Sequence, residues 1–219
     1  PAYGYFNPPQ AYFDAIIGWQ KSRHGAGDLA AEHIGYQNGV LGGLASACAA
    51  FTAPGDKVLV HNPTYIGFKN SITRCGRYLE RSPLVRDADG VWRMDYDDMA
   101  RRIRDNHIGL AVLCSPFNPC GRVWERWELE KAAEVYEACD VVVVADEIWS
   151  DLVLAGHKHI PTQSVSEDAR MRTAAFYAPS KTFNLAGIQT SAAAVPNDRL
   201  RHKVWRALNT DECGEPNAR

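Results

Sequence analysis

Short, continuously apolar stretches alternate with longer amphipathic stretches along this chain of 219 residues. Residues 110–114 and 141–145 are apolar throughout, which is typical of strands buried within a parallel sheet. Residues 125–139 place Leu129 and Tyr136 on one face at helical spacing, and this pattern predicts an amphipathic helix. The alternation of such strands with helices predicts an α/β domain whose sheet is largely parallel.

Turn residues set the bounds of the other predicted elements. Pro8 and Pro9 suit the start of a first helix, and Gly25 and Gly27 end it. Residues 87–90 form a turn signal between two strands. Further helices are predicted over residues 8–23, 40–51, 66–75, 95–106 and 199–208. Further strands are predicted over residues 57–61, 78–85, 91–94, 174–178 and 190–195.

Charge and composition exclude several classes of partner. The net charge is −2 at pH 7, so neither nucleic acid nor an anionic membrane is expected to bind. No apolar run approaches the roughly 20 residues that a membrane-spanning helix needs. The six cysteines form no C-x-x-C pair, which favours reduced thiols in a cytoplasmic protein. His157-x-His159 lacks a third ligand at motif spacing, so we expect a polar loop there and no metal site.

Three polar residues follow predicted strands. They are Asn118, Asp146 and Lys181, and Lys181 is expected in a loop at the end of its strand. Ligands bind beyond the carboxyl ends of parallel strands, so these side chains are expected on one edge of the sheet. Taken singly, each has an ordinary alternative: a turn for Asn118, a helix cap or strand-end carboxylate for Asp146, and a surface charge for Lys181.

Five segments of the chain, taken in order, carry a family resemblance. They are Gly39-Val40-Leu41, Asn62-Pro63-Thr64-Tyr65, Asn118-Pro119-Cys120-Gly121, Asp146-Glu147-Ile148-Trp149 and Ser180-Lys181. In this order they resemble the class I/II aminotransferase superfamily of fold-type I pyridoxal 5'-phosphate (PLP) enzymes. The resemblance runs from about Gly4 to the end of the chain. It implies the large domain of that fold, a mostly parallel sheet sandwiched by helices.

The resemblance implies roles for the three strand-end residues in binding PLP. Lys181 would bind the cofactor's aldehyde covalently as the catalytic lysine. Asp146 would keep a proton on the pyridine nitrogen, so that the ring can accept electrons. Asn118 would form a hydrogen bond with the phenolic oxygen.

The other segments would surround the rest of the cofactor. The phosphate would lie at the start of the helix that carries Val40 and Leu41, where free N–H groups and the helix dipole favour an anion. Ser180 would also bind the phosphate, and Trp149 belongs to the same implied site. Tyr65 would stack on the ring, and a core aromatic is an equal alternative for it.

The segment 178–187 narrows the resemblance. It most resembles the cystathionine β-lyase-like C–S lyases, and Gln189 stands where aminotransferases of this class usually carry a phosphate-binding arginine. The resemblance therefore implies a PLP-dependent carbon–sulfur β-lyase that acts on cystathionine or related cysteine S-conjugates and releases a thiol, pyruvate and ammonia. Two alternatives stay open: a class I/II aminotransferase, and a regulatory or binding protein with the same fold.

The resemblance also implies an assembly and a domain organisation. It implies a homodimer with active sites at the subunit interface, in which Tyr5 of the partner subunit reaches the phosphate, with Tyr3 as the alternative. Residues 1–35 would lead into a PLP-binding large domain at residues 36–219. No residue after Arg199 has the context of the family's substrate-carboxylate ligand, so we expect a fragment that lacks most of the small domain.

Overall fold

The computed structural model describes residues 8–210 as a central sheet flanked by helices. The helices are α1 Gln10–His24, α2 Gly39–Phe51, α3 Ile66–Arg74, α4 Tyr96–Asp105, α5 Arg126–Ala138, α6 Glu167–Arg172, α7 Pro179–Thr182 and α8 Asp198–Thr210. The strands are β1 Ile34–Gln37, β2 Lys57–Asn62, β3 Tyr78–Pro83, β4 Val85–Arg86, β5 Trp92–Arg93, β6 Leu110–Cys114, β7 Val142–Asp146, β8 Thr173–Tyr177 and β9 Ser191–Ala194. None of the helices described within residues 8–210 has the length and apolarity needed to cross a membrane.

Seven strands form one sheet in the order β1-β9-β8-β7-β6-β2-β3. The strands from β3 to β8 in that order run parallel, whereas β9 is antiparallel to both of its neighbours. Strands β4 and β5 pair with each other as a separate hairpin. The predicted α/β fold with a mostly parallel sheet between helices is confirmed.

The central strands are buried because their sequences leave no polar face. Strands β6 and β8 are buried along their whole length, as expected for strands covered by helices on both faces. Helix α2 lies close to β8, since a Cβ placed on Gly43 would come within 2.1 Å of the Phe176 ring. That close approach requires glycine and holds the start of α2 near the carboxyl ends of the strands.

Most predicted elements are confirmed with small shifts at their ends. Strand β6 has the predicted bounds, and α1 ends at His24, directly before Gly25, whose left-handed φ of 72° suits a glycine C-cap. Helix α4 begins one residue later than predicted because Asp95 is its N-cap and accepts a hydrogen bond from the Asp98 amide.

Several local predictions are wrong. The strand predicted over residues 78–85 ends at Pro83, because Val85–Arg86 turns away to pair with Trp92–Arg93. Strand Ile34–Gln37 and helix Glu167–Arg172 were not predicted, since neither has a long periodic pattern. Lys181 does not lie in a loop: it belongs to the one-turn helix α7 that follows β8.

Candidate active site

A cavity of about 430 Å³ opens beyond the carboxyl ends of the parallel strands. It brings together the three strand-end residues that were expected on one edge, namely Asn118, Asp146 and Lys181. The remaining predicted site residues of the described part of the chain also line it: Val40, Leu41, Tyr65, Trp149 and Ser180. Tyr5 and its alternative Tyr3 lie outside the described residues.

Asp146 lies at the inner wall of the cavity. It is the last residue of β7, and in the parallel pair with β6 it is in register with Cys114. The residue is 5% exposed, and its Oδ1 accepts a hydrogen bond of 3.0 Å from the Ile148 amide. Burial raises the pKa of this carboxyl group to about 6, against the smaller opposing effects of that hydrogen bond and of the Lys181 charge.

Lys181 lies on α7, which follows β8, the strand that pairs with β7. Helix α7 begins with Pro179 at its first position, which suits the start of a helix, and contains no buried residue. The Lys181 ammonium lies 5.2 Å from the centre of the Trp149 ring, in the range of a cation–π contact. Among the described residues that line the cavity, Lys181 is the only cationic side chain and Asp146 the only carboxylate.

Asn118 lies in a tight turn that follows the buried end of β6. The Phe117 amide donates to the Arg122 carbonyl at 2.7 Å, and the Gly121 amide donates to the Phe117 carbonyl at 2.8 Å. Trp124, which follows the turn, is bound to the end of β6, because its indole N–H donates to the Cys114 carbonyl at 2.9 Å. Asn118 is therefore both a turn residue and a cavity residue, so the two interpretations of it are compatible.

The start of α2 forms another part of the wall. Gly39 has a left-handed φ of 72°, which turns the chain from Asn38 into the helix. Gly39, Val40 and Leu41 line the cavity. They belong to the first turn of α2, and backbone N–H groups of a first turn have no partner within their helix. Ser180, at the start of α7, lines the same cavity.

Tyr65 is not a core aromatic, so that alternative is wrong. It is 39% exposed, and its ring makes an edge contact with Phe68, with the ring centres 5.5 Å apart. Gly67 lies under the ring, because a Cβ at that position would come within 2.2 Å of it. The ring is thus held at the cavity with one side open to solvent.

Sequence reasoning did not single out every cavity residue as part of the site. Asn38, Phe68, Cys114, Ile148 and Ala186 also line the cavity. They flank predicted site residues in the chain or at the ends of the same strands, so proximity to those residues was the available signal. Gln189, noted only for its departure from the aminotransferase pattern, is part of the wall as well.

The segment around His157 and His159 forms a loop, as predicted, but His159 is buried within it. His159 is 2% exposed, and its Nε2 lies 3.2 Å from a carboxylate oxygen of the buried Glu147. No group of three or more potential metal-ligating side chains was found within residues 8–210.

Comparison with known proteins identifies the family. The model of the family "aminotransferase class I and II" matches residues 3–210, and the chain belongs to that family. Cystathionine beta-lyase PatB of Bacillus subtilis (strain 168) is 40% identical over 216 residues, which are 99% of this chain and 55% of that protein. The resemblance to cystathionine β-lyases that residues 178–187 indicate is thereby confirmed.

Solved structures agree with this assignment. A PLP-bound protein from Clostridium difficile 630 has a TM-score of 0.93 at 33% identity, covering 99% of this chain and 55% of that chain. Cystalysin from Treponema denticola, which contains PLP, has a TM-score of 0.92 at 31% identity, covering 99% and 54% of the two chains. The chain thus has the fold of PLP-containing proteins and spans about half the length of the relatives it matches.

Proposed function

We propose that this protein is a PLP-dependent carbon–sulfur β-lyase acting on cystathionine or related cysteine S-conjugates. The observation that carries the proposal is the convergence of Lys181, Asp146 and Asn118 on one cavity that also meets the start of α2. The 40% identity to a cystathionine beta-lyase supports this choice of reaction.

The chemistry of the cavity fits PLP. The cofactor has an aldehyde, a basic ring nitrogen, a phenolic oxygen and a phosphate, and each has a complementary group in the wall. Asp146 is the most informative of these, because a buried carboxylate with a pKa near 6 lacks a strong positive partner within the protein. A protonated ring nitrogen would supply that partner.

Lys181 would act first as the group that binds the aldehyde and later as a base. When bound, PLP supplies an electron sink for the electrons of the bond that breaks at Cα. Once the substrate amine has displaced it, the Lys181 amine would remove the Cα proton. Its exposed position on a one-turn helix gives the side chain room for both tasks.

Asp146 and Asn118 would tune the electronic properties of the ring. The Asp146 carboxylate would hold a proton on the ring nitrogen, since charge-assisted hydrogen bonds are strong in a site from which water is excluded. The Asn118 amide would donate to the phenolic oxygen. Tyr65 and Trp149 would contact the ring with their aromatic faces.

The phosphate would lie against the start of α2. Three features favour an anion there: the N–H groups of the first turn of α2, which have no partner within the helix, the helix dipole, and the Ser180 hydroxyl. Gln189 contributes a neutral amide to this wall in place of the cation that aminotransferases carry. Binding of the phosphate would therefore depend mainly on backbone groups.

The overall reaction balances with one water. The Cα proton leaves, the thiol departs from Cβ, and water releases pyruvate and ammonia from the remaining carbon skeleton. Lys181 is the only cation among the described cavity residues. We therefore propose that the group that binds the substrate carboxylate belongs to the part of the relatives' length that this chain does not span.

The test is spectroscopic and chemical. Purified full-length protein with added PLP is expected to show a visible band that borohydride removes, and peptide mapping should then find the cofactor on Lys181. Addition of cystathionine without any keto acid should release pyruvate. Absence of a visible band at saturating PLP would contradict the proposal.

A class I/II aminotransferase is the second candidate function. The membership of the chain in a family named for aminotransferases favours it. The two reactions share the proton transfer by Lys181 and differ in whether a keto acid must accept the amino group. A visible band with no pyruvate, together with amino transfer to an added keto acid, would support the aminotransferase.

We further propose that the protein is a cytoplasmic homodimer, in which the partner subunit's Tyr5 reaches the phosphate. Exposed apolar side chains beside the cavity, such as Ile66 and Phe183, support a protein interface there. Buried thiols at Cys48 and Cys114 accord with a reducing compartment. Analytical ultracentrifugation and mixed dimers of Lys181→Ala and Tyr5→Phe chains would test the assembly.

A further inference from the structure

Helix α7 carries Lys181 although apolar packing does little to hold it. The helix has four residues, Pro179–Thr182, and none is buried. Residues 183–189 after it are exposed throughout. A single helical turn is unfavourable by itself, because it restricts several backbone angles for few hydrogen bonds. Besides the edge contact between the Phe183 and Trp19 rings, whose centres lie 5.2 Å apart, polar contacts to this turn therefore help to fix the position of Lys181.

One such contact joins Thr182 to Asp151. The Thr182 hydroxyl donates to Asp151 Oδ2 at 2.8 Å. The same carboxylate accepts from the Trp19 indole N–H, 3.1 Å from each oxygen, and lies 3.0 Å from His24 Nε2. Asp151 thus joins α7, which carries Lys181, to α1, which carries Trp19 and His24.

Asp151 is itself held by the strand that ends in Asp146. It follows the turn after β7, in which the Ser150 amide donates to the Glu147 carbonyl at 3.0 Å. The His24 ring meets the His159 ring edge to face, with their centres 5.1 Å apart. His159 in turn lies 3.2 Å from Glu147, the residue directly after Asp146. We call these four side chains, Asp151, His24, His159 and Glu147, the support chain.

We propose that Asp151 is a positioning residue for Lys181. Asp151 holds the neighbouring Thr182 through its hydroxyl, and the other members of the support chain hold Asp151. The inference rests on the proposed function only for the catalytic role of Lys181. The contact itself fixes the first turn after β8 relative to the turn after β7. The turn that carries Lys181 then keeps a constant distance from the turn after β7, although none of the residues of α7 is buried.

Three variants separate this role from general stability. Thr182→Val keeps the shape of the side chain and removes the hydroxyl, while Thr182→Ser keeps the hydroxyl. Thr73→Val is the matched control, because the Thr73 hydroxyl donates to the Lys69 carbonyl on the exposed side of α3. Asp151→Asn is a supporting variant, since it also disturbs Trp19 and His24.

The first readout is hydrogen exchange in full-length protein without PLP. The Phe183 amide donates to the Pro179 carbonyl at 2.9 Å and the Leu185 amide donates to the Ser180 carbonyl at 3.0 Å, so both report on α7. Thr182→Val is expected to speed their exchange at least about tenfold, because local opening governs exchange of weakly held segments. Thr182→Ser and Thr73→Val should leave it unchanged.

The second readout uses protein loaded with PLP. Thr182→Val is expected to lower kcat roughly tenfold with little change in KM, because misplacement of a reacting group affects the chemical step more than binding. The pH midpoint of the visible band should also move in Thr182→Val and return in Thr182→Ser.

The outcomes distinguish the two proposals. Unchanged exchange at Phe183 and Leu185 in Thr182→Val would overturn the positioning role, and so would equal effects of Thr182→Ser or Thr73→Val. A wild-type protein that takes up no PLP would instead overturn the proposed function. In that case, the exchange measurement still decides whether Asp151 and Thr182 hold α7.

Discussion

Asp146 and Lys181 line the same cavity but are carried by different kinds of structure. Asp146 ends a central strand whose neighbours β6 and β8 are buried along their whole length, whereas Lys181 lies on a one-turn helix with no buried residue. In the proposed mechanism Asp146 stays fixed, and its position is built into the core. Lys181 would bind the cofactor, leave it and return, and it lies on a segment with no buried side chain.

The difference has an energetic consequence. Burial raises the pKa of Asp146 to about 6, so the folded protein without cofactor holds this carboxylate at a cost in stability at neutral pH. Lys181, in contrast, is exposed. The buried Asp146 carboxylate therefore lowers the free energy of unfolding at neutral pH, a trade-off between stability and activity that is common at functional sites.

Lys181→Ala should have the largest effect on activity. Loss of both the covalent contact and the base is expected to lower kcat at least about a thousandfold and to abolish the visible band. Because α7 has no buried residue, the unfolding midpoint should hardly change. Lys158→Ala, which removes another exposed lysine, is the control. If the Lys181→Ala protein kept its activity and its visible band, the assigned role would be contradicted.

Asp146→Asn should separate activity from stability. Activity is expected to fall on the order of a hundredfold, because the ring nitrogen loses its charged partner. Without cofactor, the variant should be more stable than the wild type at pH 7.5, by up to about 3 kcal/mol, since a shift from 3.8 to about 6 costs about 1.4 kcal/mol per pH unit.

The sign of the pH dependence follows from the direction of the shift. A raised carboxyl pKa favours the folded state while the group is protonated, so its cost appears as the pH rises from about 4 to about 6. Denaturant unfolding at pH 4 and pH 7.5 should show the stability gain of Asp146→Asn only at the higher pH. Asp89→Asn, at an exposed turn position, should show no such gain; equal stability of Asp146→Asn and wild type at pH 7.5 would contradict the argument.

Gly43→Ala and Gly67→Ala form a matched pair that compares a buried contact with an exposed one. Each new Cβ would meet an aromatic ring, at 2.1 Å from Phe176 and at 2.2 Å from Tyr65. Phe176 is fully buried and cannot yield, so Gly43→Ala should lower the free energy of unfolding by about 1–3 kcal/mol. Tyr65 is 39% exposed and can turn aside, so Gly67→Ala should cost less stability and weaken PLP binding instead.

Gln189→Arg should have the smallest effect. A cation at this exposed position of the wall would strengthen PLP binding only about two- to fivefold, in line with the value of exposed ion pairs. Gln189→Met, which has similar length and no charge, is the control, and equilibrium titration with PLP is the measurement. Tighter binding by Gln189→Met as well would show that charge is not the cause.

The amino-acid sequence alone determined the alternation of strands and helices and the order of the site residues. Continuous apolar runs such as residues 110–114 specify buried strands because no polar face competes. The expectation that Asn118, Asp146 and Lys181 share one edge followed from the rule that parallel strands end together, and the cavity confirms it. These features depend on local pattern and topology, which a single sequence carries.

Only the tertiary structure decided the environment of each side chain. It placed Tyr65 at the cavity instead of the core, buried His159 against Glu147 and gave Lys181 a helical turn tied to Asp151. Thr182 and Asp151 are 31 residues apart in the chain, and Trp19 is 132 residues from Asp151. Contacts at such separations depend on how whole elements pack, because no local pattern of residues records which distant side chain will fill a given space.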